Sequence, residues 1–118
     1  EASGYEFVLA EEGGRVHGYA CYGPIPCTLG SFDLYWIAVD PAAQGRGIGK
    51  LLLGETEDHI RSLSGRRIYI ETSGRPEYAP TRAFYERCGY EIAAVLADFY
   101  EPNDDKVIWH KACTGEVL

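Results

Sequence analysis

The stretch Gln44-Gly45-Arg46-Gly47-Ile48-Gly49-Lys50 sets three glycines at alternate positions immediately before Leu51-Leu52-Leu53. Glycine costs roughly 1 kcal/mol against alanine inside a helix, so three at the mouth of a helical pattern need a chemical reason. A helix start exposes backbone N–H groups without partners, backed by about half a unit of positive charge. Where no Cβ stands in the way, a large anion can approach those amides closely. The stretch therefore reads as an anion cradle, with Arg46 and Lys50 adding positive charge; the plainer alternative is a tight strand-to-helix turn. Two familiar nucleotide loops do not fit. The phosphate loop G-x-x-x-x-G-K-[ST] would need a glycine at Gln44 and a hydroxyl residue at Leu51. The dinucleotide pattern G-x-G-x-x-G fails on the spacing from Gly47 to Gly49.

The cradle needs a strand before it and a helix after it, and the chain supplies both. Residues 5–23 read as two strands joined at Glu12-Gly13-Gly14-Arg15, a glycine-bearing hairpin signal. A loop with Pro24 and Pro26 leads to Ser31–Val39, a strand rich in aromatic and branched residues. From Ile48, apolar residues at Leu51, Leu52, Ile60 and Leu63 predict a helix of about four turns, stopped at Ser64-Gly65. Residues 66–73 read as a buried strand, so strand, helix and strand form a right-handed crossover between parallel strands. Thr81 is the expected N-cap of a short helix over 82–88 that Gly89 closes. Residues 90–100 and 106–112 read as strands around Pro102-Asn103-Asp104-Asp105. Trp36 and Trp109 are expected in the core. The order β-β-β-α-β-α-β-β predicts an α+β fold, a mixed sheet covered by helices, in one domain spanning 1–118.

Bulk composition narrows the function. A chain of 118 residues, 46% hydrophobic, supports one domain with a proper core. A net charge of −7 argues against a nucleic-acid partner held by phosphate contacts, and is compatible with either a cationic substrate or simple solubility. No apolar run approaches the ~20 residues of a membrane span, and no signal peptide opens the sequence. The chain starts at Glu1 and holds no methionine, which reads as a cut or processed piece. Cys21, Cys27, Cys88 and Cys113 form no C-x-x-C pair and lie far in sequence from His17, His59 and His110. Neither a metal site nor a disulfide framework is expected, and a cytoplasmic location with reduced thiols is the default.

The pattern that does fit the loop is Q-x-x-G-x-G, at Gln44, Gly47 and Gly49, between a strand ending in Ala38-Val39-Asp40-Pro41 and a helix. It resembles the acetyl-CoA signature of the GNAT N-acetyltransferase superfamily. Thr81–Glu91, TRAFYERCGYE, resembles that family's later motif, a helix with a Phe-Tyr pair ending in Gly-aromatic. The two motifs stand in the family's order and, with the strand order, cover nearly the whole chain. The family fold normally opens with a strand and two helices that form one wall of the acceptor site, and the sequence has no counterpart for them.

The resemblance implies roles. Gly45, Gly47 and Gly49, with Arg46, Ile48 and Lys50, would hold the pyrophosphate of acetyl-CoA, and the backbone of Ile37, Ala38 and Val39 would pair with its pantetheine arm. Thr81 stands where the family often has Asn, Phe84 is in the Phe-Tyr pair, and Arg87 would reach the nucleotide's phosphate. Tyr85 matches the family's acid. A phenol near pKa 10 is weaker than a thiol near 8.5, so it would donate a hydrogen bond as negative charge develops. The Val39 N–H would serve the oxyanion. Two carboxylates compete as base for the attacking amine: Asp33, aligned with a catalytic glutamate of histone-type members, and Glu71 on the adjacent strand. Tyr78, Asp98 and Tyr100 would border the acceptor. The implied activity is N-acetyl transfer from acetyl-CoA, without a metal, to a small-molecule or protein amine, in a monomer or homodimer. The alternatives are a non-catalytic CoA-binding module, such as the tail of a fused protein, and a nucleotide-binding loop.

Overall fold

In the computed structural model, which describes residues 4–113, period-two apolar patterning builds six strands and the longer helical pattern builds two helices. These are β1 (Glu6–Glu12), β2 (Arg15–Pro24), β3 (Ser31–Val39), α1 (Ile48–Ser62), β4 (Arg67–Ser73), α2 (Ala79–Arg87), β5 (Glu91–Glu101) and β6 (Asp104–Ala112). The strands form one sheet in the order β1-β2-β3-β4-β6-β5. Only β3 and β4 run parallel, joined through α1 as the crossover pattern requires.

Helix α1 crosses the sheet and buries Ile48, Leu52, Leu53, Thr56 and Ile60. They pack against Ala20 and Tyr22 of β2, Phe32 and Leu34 of β3, and Ile68 and Ile70 of β4. The inward stripe thus differs from the expected one: Leu51 and Leu63 are exposed, because the stripe follows the four-residue spacing 48, 52, 56, 60. Thr56 sits in that apolar stripe without penalty, since its hydroxyl donates to the Leu52 carbonyl at 2.8 Å. After Leu63 the chain leaves the helix through Ser64 at φ 65°.

The tryptophans divide. Trp109 is 3% exposed, and its indole N–H donates to Thr72 Oγ1 at 3.0 Å. Trp36 is 47% exposed, against expectation. The register jumps from Tyr22↔Leu34 to Cys21↔Trp36, so Tyr35 is an extra residue in β3. This bulge reverses the alternation beyond it, turning Ile37 and Val39 to the core and Trp36 to the opposite face.

Helix α2 begins three residues earlier than expected. A 3-10 turn at Pro76–Tyr78 runs directly into Ala79, which leaves Thr81 inside the first turn and not at the N-cap. Pro80 is tolerated there because first-turn amides have no intrahelical acceptor.

Candidate active site

The parallel strands are paired over three positions only, Ser31↔Arg67, Phe32↔Ile68 and Asp33↔Tyr69. Beyond Asp33, β3 pairs with β2 alone as far as Val39, so β3 and β4 splay apart. This is the opening that the resemblance implied. Two cavities lie along it.

The first, about 920 Å³, is walled by Ile37 and Val39 of β3, the glycine loop from Gln44 to Lys50, and the inner face of α2. Its glycines serve different ends. Gly45 and Gly47 take φ of 84° and 78°, which side chains rarely adopt, and Gly47 is the N-cap of α1. Gly49 lies within the helix, where a Cβ would make ordinary contact with Phe84 at 3.6 Å and Val39 at 3.9 Å across the cleft wall. Gln44 braces the loop by reaching the Val39 carbonyl at 3.4 Å, and Asp40 Oδ1 accepts from the Ala42 N–H at 3.0 Å. The first-turn amides of α1 have no acceptor in the helix and front the cleft. Lys50 and Arg87 also line it, and neither forms an ion pair among the described residues.

Two expected contributors stand apart. Arg46 is not on the cleft wall, because its guanidinium is drawn to Glu12 at the end of the β1–β2 hairpin, 3.2 Å away. Ala38 is likewise missing from the wall, since strand alternation turns its side chain away and leaves only its backbone. Pro80 and Cys88 line the cleft without having been singled out. The signal was helical spacing: Thr81, Phe84, Tyr85 and Cys88 share one face of α2.

The second cavity, about 510 Å³, lies on the other side of Tyr85. It draws Tyr35, Trp36 and Ile37 from β3, Glu71 and Thr72 from β4, Arg75, Glu77 and Tyr78 from the following loop, and Tyr100 and Asp104 from the β5–β6 hairpin. Tyr78 and Tyr100 thus line this cavity. Asp98 does not: at φ 56° it shapes the end of β5, its N–H bonded to Asp105 and its carboxylate accepting from the Asn103 N–H. Glu71 fronts this cavity and pairs with Lys106 at 3.2 Å. Asp33 fronts a smaller adjoining cavity with Glu71, Tyr69 and Tyr100, and burial followed by the Glu71 charge raises its pKa above the usual carboxylate range.

Ile37, Thr81 and Tyr85 line both larger cavities and, among the described residues, are the only ones to do so. Tyr85 is 5% exposed, edge-on to Phe84 and Tyr90 with ring centroids 5.3 and 5.9 Å away. Burial, then the neighbouring Cys88, pushes its pKa up to about 12, so the hydroxyl keeps its proton at neutral pH. Helix α2, which carries it, is fixed at both ends. Arg82 donates to the Ser73 and Arg75 carbonyls at 2.8 and 2.9 Å. Lys111 donates to the Cys88 carbonyl at 2.9 Å and to Glu57, which also accepts from Tyr90.

Residues 3–92 match the model of the acetyltransferase (GNAT) domain, and the chain belongs to that family. It is 34% identical over 95 residues to the N-alpha-acetyltransferase RimI of Mycobacterium tuberculosis, covering 80% of this chain and 57% of that protein. A 70-residue stretch is 37% identical to a mycothiol acetyltransferase of Beutenbergia cavernae, covering 59% of this chain and 23% of that protein. The chain thus spans less than two thirds of the length of these relatives. A solved GNAT-family structure from Desulfovibrio desulfuricans superposes with TM-score 0.95 at 50% identity, covering 96% of this chain and 71% of that one. A Salmonella typhimurium structure solved with acetyl-CoA shares the fold, with TM-score 0.80 at 21% identity over 98% of this chain and 68% of that one. Among the described residues, no helix is long and apolar enough to cross a membrane.

Proposed function

We propose that this chain is an acetyl-CoA-dependent N-acetyltransferase acting on a primary amine. The observation that carries this reading is the meeting of two cavities at one buried, protonated tyrosine. A donor and an acceptor entering from opposite sides would meet beside Tyr85, where Ile37 and Thr81 also border both cavities.

The first cavity fits acetyl-CoA: a helix start with positive-φ glycines, a strand edge beside it, and two cations without ion-pair partners among the described residues. The Gly45–Lys50 loop would hold the pyrophosphate, with Lys50 and Arg87 answering negative charge. The unpaired edge of Ile37–Val39 offers main-chain groups to an amide-bearing arm, and Thr81 a hydroxyl. Bound there, acetyl-CoA supplies an activated acyl group: a C–N bond forms, the C–S bond breaks and CoA leaves as thiol. Tyr85 would donate its O–H as negative charge develops on the leaving sulfur, and the Val39 N–H would be the backbone donor for negative charge on the carbonyl oxygen. An alkylammonium near pKa 10.4 must lose a proton to attack. Glu71 is the favoured base, because it shares a cavity with Tyr85 whereas Asp33 fronts only the adjoining one.

The test is thermal melting with and without acetyl-CoA, followed by amine-dependent release of thiol. Saturation at ~100 times the dissociation constant adds about 2.7 kcal/mol to the folded state, several degrees for a domain this size. A melting shift with thiol release supports the reading. A shift without release from any amine supports the non-catalytic CoA-binding alternative.

A further inference from the structure

The acceptor has a chemical class that the cavity itself constrains, on the footing that the reading above is correct. The two cavities that meet at Tyr85 differ in charge. The glycine-loop cleft presents Lys50 and Arg87, whereas the second cavity presents Glu71, Glu77 and Asp104 against one guanidinium, Arg75. That guanidinium is already committed, to Glu77 at 3.2 Å, Glu101 at 3.1 Å and Asp104 at 3.8 Å. Counting the ion-pair partners just outside the wall, Glu101 and Lys106, leaves four carboxylates against two cations, the same excess. The carboxylates alone would signify little, but they are set among five aromatic side chains, Tyr35, Trp36, Tyr78, Tyr85 and Tyr100. Rings of this kind attract organic cations through their faces.

We propose that the second cavity takes an organic dication: a primary amine that carries a second positive charge a few methylenes from the reacting nitrogen. The reacting amine lies toward Glu71 and Tyr85, and the distal ammonium lies toward Glu77, Asp104 and the rings at the outer wall. The charge of Lys50 and Arg87 keeps the distal ammonium from entering the cofactor cleft in the wrong direction. An acceptor with a carboxylate at its far end meets the excess negative charge and finds Arg75 occupied.

Three acceptors of matched length test this with the full natural chain: 1,5-diaminopentane, pentylamine and 5-aminopentanoate, each at saturating acetyl-CoA. The expected kcat/KM falls in that order, with the diamine about tenfold or more above pentylamine at low salt. The advantage should shrink at ~0.5 M salt, since the outer wall is open to solvent. Glu77→Gln should narrow the diamine-to-pentylamine ratio, chiefly through KM for the diamine. Equal kcat/KM for diamine and pentylamine, or a preference for 5-aminopentanoate, overturns the proposal while acetyl transfer stands. Turnover of none of the three, with acetyl-CoA bound, overturns the transfer reading and this proposal together.

Discussion

The glycine-loop cleft and the aromatic cavity share Tyr85 but are built on opposite plans. The cleft is mostly backbone: a strand edge, a loop and a helix start, all within Ile37–Lys50, closed by one face of α2. The cavity is mostly side chains, collected from three separate stretches of sequence around Tyr35, Arg75 and Tyr100. Backbone recognition suits a ligand shared across a family, since any sequence that keeps the turn keeps the site. Side-chain recognition suits an acceptor that differs from one member to the next.

Of the three residues common to both, Tyr85 carries the buried hydroxyl and should matter most. Tyr85→Phe keeps the ring packing against Phe84 and Tyr90 and removes only the hydroxyl. It should lower kcat by about 10²–10³-fold while the acetyl-CoA dissociation constant, measured by calorimetry, stays nearly constant. A Phe variant with unchanged kcat would reduce Tyr85 to a packing residue. Next in size, Glu71→Gln should lower kcat/KM about 10²-fold at neutral pH, whereas Asp33→Asn should cost less than about tenfold. The reverse order would return the base to Asp33. On the cleft side, Gly47→Glu places a strained, negative residue where the backbone now meets open space. It should weaken acetyl-CoA binding about tenfold or more and leave kcat at saturation close to its former value. Lys50→Ala should weaken binding only about threefold, and less at high salt, because Lys50 is exposed and its attraction for a phosphate is screened by solvent and ions.

The smallest effect is on stability. Folding raises the Tyr85 pKa from about 10 to about 12, so the folded state holds a proton that the unfolded chain releases first. The contribution is fully present below pH 10 and is lost as pH rises toward 12. The melting temperature should decline over that window, and Tyr85→Phe should flatten the decline.

The same division explains what the sequence reveals. Strands β1 to β4, the crossover and helix α1 follow from patterning in single stretches, and the cleft follows because its glycines, Gln44 and α2 face sit in two short motifs. Trp36 and Arg46 escape such reading for long-range reasons. The face that Trp36 takes depends on a bulge relative to β2, and the direction of Arg46 depends on Glu12, 34 positions away. Thr81 was misplaced for a local reason, since a 3-10 turn can merge into a helix ahead of a proline. The Arg75, Glu77, Glu101 and Asp104 group is legible only once the β5–β6 hairpin has folded back on the loop after β4.

The short pairing of β3 with β4 has a mechanical consequence. Three residue pairs are all that join the β1-β2-β3 half of the sheet to the β4-β6-β5 half by direct ladder hydrogen bonds. The sheet is therefore two panels on a short hinge, with a slot where a seventh ribbon of peptide-like groups would lie. Whatever fills that slot stiffens the molecule as well as occupying it. Amide protons along the free edge of β3 should then exchange slowly when the slot is filled and quickly when it is empty.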